Sequence, residues 1–373
     1  MRILAASAFE AGAHWAHAIN TVKTAEGFAR VGHDVRIVCR RPAGGAVPAE
    51  ALARGYALRA PVRWTQVAAR RFGRPLGPHG AFAAQALPRI AWARPHLVYA
   101  RSYAVPTWTA RLGLPTVVES HAHPENQTPD FRRLVQAARR PALRAWITIS
   151  EVLAEAHARA GVPEGKIRVV PDAVDLDLFV PPDAPGPSPY PSGGPVAAYA
   201  GHLYDYKGIP TVLAAAARLP EVRFHLVGGW PEDVEGVRRR VEREGLGNVT
   251  LHGLRPHVEV PAFLWHADVL LLPPSAQHAS AAWTSPVKLG EYLASGTPVV
   301  ATSIPALRHW LRHGEVEWAE PDAPEALAAA IRRVLDDPAH AAGLAKRARE
   351  RAAALSYRHR AERILSAAGL DRS

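Results

Sequence analysis

Short runs of consecutive apolar residues alternate along the chain with longer stretches of helical period. In the front half RILAASAF is followed by HAINTVKTAEGFARVG and HDVRIVC, and later by PHLVYA, PTVVES, AWITIS and KIRVVP. Strands apolar on both sides must be covered on both faces, so such runs separated by helices predict βαβ units and a parallel sheet. The stretch VPPDAPGPSPYPSGGP, Val180–Pro195, interrupts the alternation with seven prolines and three glycines in sixteen residues. Proline has no backbone donor and a fixed φ, which excludes helix or strand interior and predicts an interdomain connection. The alternation then restarts with PVAAYAG, VRFHLVGG, VTLHG, DVLLLPP, TPVVATS and VEWAEP. The pattern predicts an α/β protein of two Rossmann-like domains, residues 1–175 and 196–355, joined by a linker at 176–195. An amphipathic helix within 356–373 is free to pack back on the first domain.

Composition changes this picture in two places. At 373 residues, with 48% hydrophobic and 21% charged residues, the chain is an ordinary globular protein too long for one core. Cys39 is the only cysteine, which excludes a disulfide framework and predicts a reducing, cytoplasmic setting. MRILAASAFEAG has the look of a weak signal peptide, but it runs into Gly12 and a helical pattern as a first strand does. No apolar run approaches the ~18 residues of a membrane span. The charge is more informative. Residues 1–175 carry 24 Lys and Arg against 12 Asp and Glu, a balance of +12, whereas the rest carry 21 against 22. Much of the excess lies in RWTQVAARRFGR, Arg63–Arg74, and RRLVQAARRPALR, Arg132–Arg144. An anionic partner is the expectation, with a membrane on the inner face of the cell favoured. A genome that spells lysine as arginine is the competing source.

Arginine outnumbers lysine 40 to 5, so each lysine is conspicuous. Lys207 follows the strand run AAYAG, and Lys288 lies in TSPVKLGEYLASGTPVV, residues 284–300. There Ser285 and Pro286 read as a helix N-cap and first turn, Gly296 as the stop, and Leu289, Tyr292 and Leu293 as the core face. Lys288 and Glu291 near that N-terminus read either as a surface i,i+3 pair or as part of an anion site. Ligands of open parallel sheets bind beyond the strand carboxyl ends. That rule gathers Gly201 with His202, Lys207, Gly228 with Gly229, His252 with Gly253, and the helix start at Ser285 into one crevice suited to a diphosphate. Glu291, one turn into the helix, is placed to accept hydrogen bonds from a ribose diol. His14 with His17, and His121 with His123, have spacings compatible with a metal, but no third or fourth ligand accompanies either pair.

YAGHLYDYKG, LVGG, the TSPVKLGEYLASGTPVV segment and PDAVDLDLFVPP (Pro171–Pro182) resemble family 4 glycosyltransferases of the GT-B fold. Corresponding stretches in that family often read Gly-Arg-Leu-x-x-x-Lys-Gly, Ser-Pro-x-Lys-x-x-Glu-Tyr-x-Ala-x-Gly-x-Pro-Val-Val, and Pro-Asn-Gly-Val-Asp-x-x-x-Phe-x-Pro. The resemblance implies two Rossmann-like domains facing across a crevice, the front one for the acceptor and the back one for a nucleotide-sugar donor. It assigns Lys207 and the Gly201 turn to the diphosphate and Glu291 to the ribose. Thr284, Ser285, Pro286 and Lys288 go to the phosphates and sugar, and Leu254 and Arg255 to the neighbourhood of the base. In the front domain it places His121, after PTVVES, near the transferred sugar, with Gly12 and Ala13 in a loop closing over the diphosphate. Three positions depart from the family. His202 replaces the usual arginine, Trp283 stands where many members have a second glutamate, and Asp172-Ala173 replaces Asn-Gly.

These readings imply a metal-independent, configuration-retaining hexosyltransferase without cofactor. Its donor is a UDP- or GDP-sugar, its acceptor a sugar, glycolipid or small molecule, and Lys207 with His121 are its catalytic residues. By family analogy the acceptor attacks the face the diphosphate leaves, so no protein nucleophile is required. Two alternatives remain. One is a non-hydrolysing UDP-sugar 2-epimerase, which needs carboxylates in the sugar pocket, and the expected scarcity of acids near His121 and Trp283 argues against it. The other is a non-catalytic nucleotide-sugar or nucleic-acid binder. Nucleic acid is not expected, since no aromatic residues interleave the arginines and no recognition helix is present.

Overall fold

The computed structural model describes residues 1–68, 77–124, 128–283 and 287–370. It divides into two compact units. The first comprises Met1–Ala173 and Ser356–Ser373, the second Val174–Leu355.

The first unit is built on seven parallel strands. They are β1 (Arg2–Glu10), β2 (Asp34–Arg40), β3 (Arg63–Val67), β4 (Leu97–Ala100), β5 (Thr116–Ser120), β6 (Leu143–Thr148) and β7 (Ile167–Val169), in the order β3-β2-β1-β4-β5-β6-β7. Helices α1 (Ala16–Arg30), α2 (Ala49–Gly55), α3 (Gly77–Ala93), α4 (Ala104–Arg111), α5 (Pro129–Ala137) and α6 (Glu151–Arg159) form the crossovers. The central strands β1, β4 and β5 are buried along nearly their whole length because both sheet faces are covered. Ile3, Ala5, Ile37 and Tyr99 pack with α1 on one face, and Leu4, Ala6, Val38 and Val98 pack with α3 on the other. Local sequence sets the helix starts. Thr128 Oγ1 accepts from Phe131 N with Pro129 in the first turn, and Ser150 Oγ accepts from Leu153 N.

The second unit contains α7 (Leu176–Phe179) and six parallel strands. These are β8 (Val196–Ala200), β9 (Arg223–Val227), β10 (Val249–Gly253), β11 (Val269–Leu272), β12 (Val299–Thr302) and β13 (Glu317–Ala319), in the order β10-β9-β8-β11-β12-β13. Its other helices are α8 (Ile209–Ala216), α9 (Pro231–Arg243), α10 (Val260–Trp265), α11 (Val287–Ser295), α12 (Pro305–Trp310), α13 (Pro324–Asp336) and α14 (Pro338–Ala353). Val174 N donates to Leu355 O at 2.8 Å, so the unit's first and last residues meet. The chain then returns to the first unit as α15 (Tyr357–Ala367), which packs on α1 through Tyr357, Arg360, Ala361 and Ile364.

The expected linker at 176–195 needs correction. It belongs to the second unit and lies against its core rather than between units. Phe179 and Tyr190 are buried there, the Tyr190 hydroxyl donates to Phe263 O, and Trp265 Nε1 donates to Phe179 O at 2.8 Å. Proline density excludes regular structure, but it does not free a segment whose aromatic residues have a surface to cover.

Candidate functional site

In the second unit the strand order reverses direction between β8 and β11, and the loops beyond their carboxyl ends lie at this switch point, where open parallel sheets bind their ligands. The loop after β8 turns at Gly201, with φ +147°, and ends at Gly208, with φ +84°, before α8. Side chains are excluded at both places. A Cβ on Gly201 would overlap the Lys288 ammonium, and one on Gly208 would overlap Pro273 O. Gly201 N donates to Val227 O and Gly228 N to Gly253 O, both at 2.8 Å, which brings the ends of β8, β9 and β10 together. Lys288 projects from α11 to this turn. Its ammonium sits 3.8 Å from the centre of the Tyr199 ring and makes no hydrogen bond among the described residues. Burial, and secondarily Lys207, hold it well below the ordinary lysine range, while Glu291 acts in the opposite direction. Lys207 lies over the Tyr206 ring at 4.9 Å, is also lowered by burial, and has no carboxylate partner among the described residues. Two ammonium groups without an anion to neutralise them therefore meet at one strand-end turn. The surface i,i+3 reading of Lys288 with Glu291 does not hold: Glu291 Oε1 instead meets His257 Nε2 at 3.0 Å. Around the rim, rings stack in sequence from Trp230 through His202, Tyr204 and Tyr206 to His278, with centroids 4.3 to 5.5 Å apart. Burial, then Lys288, lower His202, so it is neutral near pH 7.

The first unit has its own switch point, between β1 and β4. At the end of β5 the carboxylate of Glu119 is fully buried. Arg360 Nη2 lies 2.8 Å from Oε2 and Arg101 Nε 3.3 Å from Oε1; the Tyr99 hydroxyl donates to Oε2, and His121 Nε2 contacts Oε1. Burial alone would raise this acid, yet Arg360, Arg101 and His121 together hold it well below the usual carboxylate range. Arg101 also contacts His121 and reaches His17 O at 3.4 Å, while His17 Nε2 pairs with Ser7 Oγ at 2.7 Å. Burial and Arg101 push His17 down to about 3. One ligand atom each from Glu119, His121 and Asp172 lie within 4.8 Å of one another. A cation is already supplied to that cluster by the two guanidinium groups, and Asp172 accepts from Asn20 Nδ2 at 2.6 Å.

Known proteins share these segments. Residues 20–178 match the model described as Glycosyltransferase Family 4, and residues 194–337 match the one described as Glycosyl transferases group 1. Together the matches take in about four-fifths of the chain. The chain belongs to the family 4, or group 1, glycosyltransferases. It is similar to the 2-deoxystreptamine glucosyltransferase of Streptomyces kanamyceticus, 30% identical over an alignment of 230 residues that covers 55% of this chain and 56% of that one. The chain spans about half the length of the curated relatives it matches. Among solved structures, sucrose-phosphate synthase from Thermosynechococcus elongatus aligns over 98% of this chain and 97% of its own, with TM-score 0.74 and 22% identity. Anabaena HepE in complex with UDP-glucose aligns over 98% and 99%, with TM-score 0.73 and 18% identity. At such identities the likeness is one of fold, the GT-B arrangement of two Rossmann-like halves.

Within this family member the expected donor residues Gly201, His202, Lys207, Gly228, Gly229, Lys288 and Glu291 all lie on the carboxyl-edge loops of the second unit or on α11. Thr284, Ser285 and Pro286 fall outside the described residues. Leu254 and Arg255 stand exposed beyond β10, and their side chains make no hydrogen bond among the described residues. Gly12 has φ +86°, and Ala13 O accepts from the Tyr56 hydroxyl; both follow β1 in the first unit, as His121 follows β5. The scarcity of acids near His121, used against an epimerase, is corrected: Glu119, two residues earlier at the end of β5, contacts its ring, and folding adds Asp172. Glu119, Arg101, Arg360 and His257 were missed. Glu119 and Arg360 left a signal, a charge inside an apolar strand and a charge on the core stripe of α15. His257 left none.

Proposed function

We propose that the protein is a retaining glycosyltransferase that moves a sugar from a nucleotide-diphosphate sugar to a hydroxyl acceptor. The observation carrying this is the pair of ammonium groups, Lys207 and Lys288, at the β8–β11 switch point with no anion against them among the described residues. A diphosphate supplies that anion. In the transition state negative charge builds on the bridging oxygen as the glycosidic bond stretches, and both lysines with the start of α11 stabilise it. The departing phosphate oxygen takes the acceptor's proton on the face it leaves, so no protein nucleophile is formed. Glu291, held by His257, accepts from the ribose hydroxyls. His121, set by Glu119 and Arg101, acts on the transferred sugar. Since lysines and a helix start neutralise the leaving group, no metal is needed, and activity should survive excess EDTA. HepE, a neighbour in fold, is described with UDP and with UDP-glucose, which supports a UDP-sugar over a GDP-sugar. Among the relatives is a phosphatidyl-myo-inositol mannosyltransferase, and with the +12 front half this supports an acceptor carried on an anionic lipid surface.

A thermal-shift panel of UDP, GDP, ADP and their sugars tests the donor, because a ligand at ~100 times its dissociation constant adds about 2.7 kcal/mol. The preferred donor is then incubated with sugar, polyol and glycolipid acceptors, and the anomer is read by NMR. An inverted product or a strict Mn²⁺ requirement would sink the mechanism. Turnover of UDP-N-acetylglucosamine to its 2-epimer without acceptor would install the epimerase instead.

A further inference from the structure

From the first unit we infer a membrane-attachment face on the sheet edge opposite His121, formed where α3, α4 and α5 end. It goes beyond the reading above, since it concerns where the chain attaches and not what it glycosylates, and it is independent of sugar transfer. In a βαβ unit each helix returns antiparallel to the strands, so its C-terminal end lies at the amino edge of the sheet. Trp92 at the end of α3, Trp108 and Leu112 at the end of α4, and Arg139 and Arg140 beyond α5 therefore share one edge. His121 and the carboxyl ends of the strands occupy the other.

Three observations make this edge unlike ordinary surface. Its large apolar side chains face solvent: Trp92 is 86% exposed, Leu112 57% and Trp108 46%. Tryptophan is costly to leave in water, and the interface between headgroups and acyl chains suits its amphipathic ring. The charge around the indoles is positive, and the acid at this edge, Glu164, lies beyond Arg140 in the turn whose Lys166 donates to Arg140 O. Arg89, Arg94, Arg111, Arg139, Arg140 and Arg144 are exposed, none is ion-paired among the described residues, and Arg111 lies 5.0 Å over the Trp108 ring. Between Glu50 and Glu119 the chain has ten arginines and no acidic residue. The acids nearest in sequence do not offset this. Glu119 is buried and paired, Glu125 lies outside the described residues, and Asp130 sits at the far end of α5 against Arg133. The patch stops at α6, where Glu155 meets Arg159. Arginine stems with exposed indoles fit an anionic bilayer, whose headgroups take the charge while the rings enter the interface. A nucleic acid would also meet the charge, but a groove of stacked bases needs ring faces arrayed along a strand path, whereas here the aromatic residues are two indoles on separate helices.

This placement separates attachment from catalysis. The carboxyl edge with His121 is turned away from the lipid, so the chain binds a bilayer whether or not the acceptor is in it. Cosedimentation with phosphatidylglycerol vesicles should show binding at low salt and release at high salt, and vesicles of phosphatidylcholine alone should bind weakly. Arg139→Ala with Arg140→Ala should lower partitioning roughly thirty-fold, about five-fold for each charge. Trp92→Ser with Trp108→Ser should abolish the blue shift of tryptophan emission on vesicle addition. Both variants should keep the wild-type melting temperature and the wild-type rate on a soluble acceptor. Wild-type failure to bind phosphatidylglycerol, equal binding by the variants, or tighter binding to poly-uridine RNA than to vesicles would each overturn the assignment. A protein that binds vesicles but transfers no sugar would sink the catalytic proposal alone.

Discussion

The carboxyl edges of the two sheets treat charge in opposite ways. In the first unit Glu119 is saturated: two guanidinium groups, a phenol and an imidazole converge on one carboxylate. In the second unit Lys207 and Lys288 have no counter-anion among the described residues, and both are depressed by burial. A closed network fixes positions and gains nothing from a ligand. An open one is destabilising by itself, so an anion bound against it would relieve that cost. The same contrast appears at Glu291, which has one oxygen on His257 and no arginine among the described residues.

Breaking the closed network should have the largest effect. Arg360→Met leaves a buried carboxylate short of its 2.8 Å partner and should destabilise the protein by about 3 to 5 kcal/mol, read by urea denaturation. Adding Glu119→Gln should restore much of the loss. If the double variant is no more stable than the single, the closed network is not what Arg360 serves. In the open site the effect moves from stability to affinity. Glu291→Ala and Lys207→Ala should each weaken the preferred nucleotide diphosphate roughly ten- to a hundred-fold, about 1.5 to 3 kcal/mol by calorimetry, with melting temperatures nearly unchanged. For Lys207→Ala the nucleoside alone should bind as before. Wild-type affinity in both variants would put the donor elsewhere.

Acid sharpens the comparison further. His17 has a folded value near 3 against 6.5 unfolded, so the unfolded chain binds the extra proton between those values. Stability is complete above about 6.5 and falls as the pH drops toward 3, by at most about 1.4 kcal/mol per pH unit for this group. His17→Gln should flatten that limb, and an unchanged slope would show that His17 is solvated. Lys288→Met should have the smallest effect on stability and the most telling one. Removing an unpaired buried ammonium should leave the melting temperature equal or higher while diphosphate affinity drops. A fall in both would mean that the lysine is paired in solution.

Much of this was legible in the sequence, for definite reasons. Leu289, Tyr292 and Leu293 follow the helical period and are buried, and the strand runs fell where strands form because both sheet faces are covered. Scarcity marked Lys207 and Lys288. What escaped depends on contacts between distant segments. Arg360 meets Glu119 across most of the chain's length, and nothing near His257 announces that Glu291 will face it. The proline-rich stretch was misread because its composition reports backbone conformation, while Phe179 and Tyr190 decide where it lies.

The first unit is interrupted by the second. Met1–Ala173 leaves the ribosome well before Arg360, with the whole of Val174–Leu355 in between, a delay of roughly ten to thirty seconds at typical elongation rates. When that interval ends the inserted unit has its entire sequence and can close. The earlier one waits with the Glu119 carboxylate short of a guanidinium and the α1 face without α15. A nascent chain of this design completes its second half first, and a premature stop before Tyr357 would spare the later unit while stranding the earlier one.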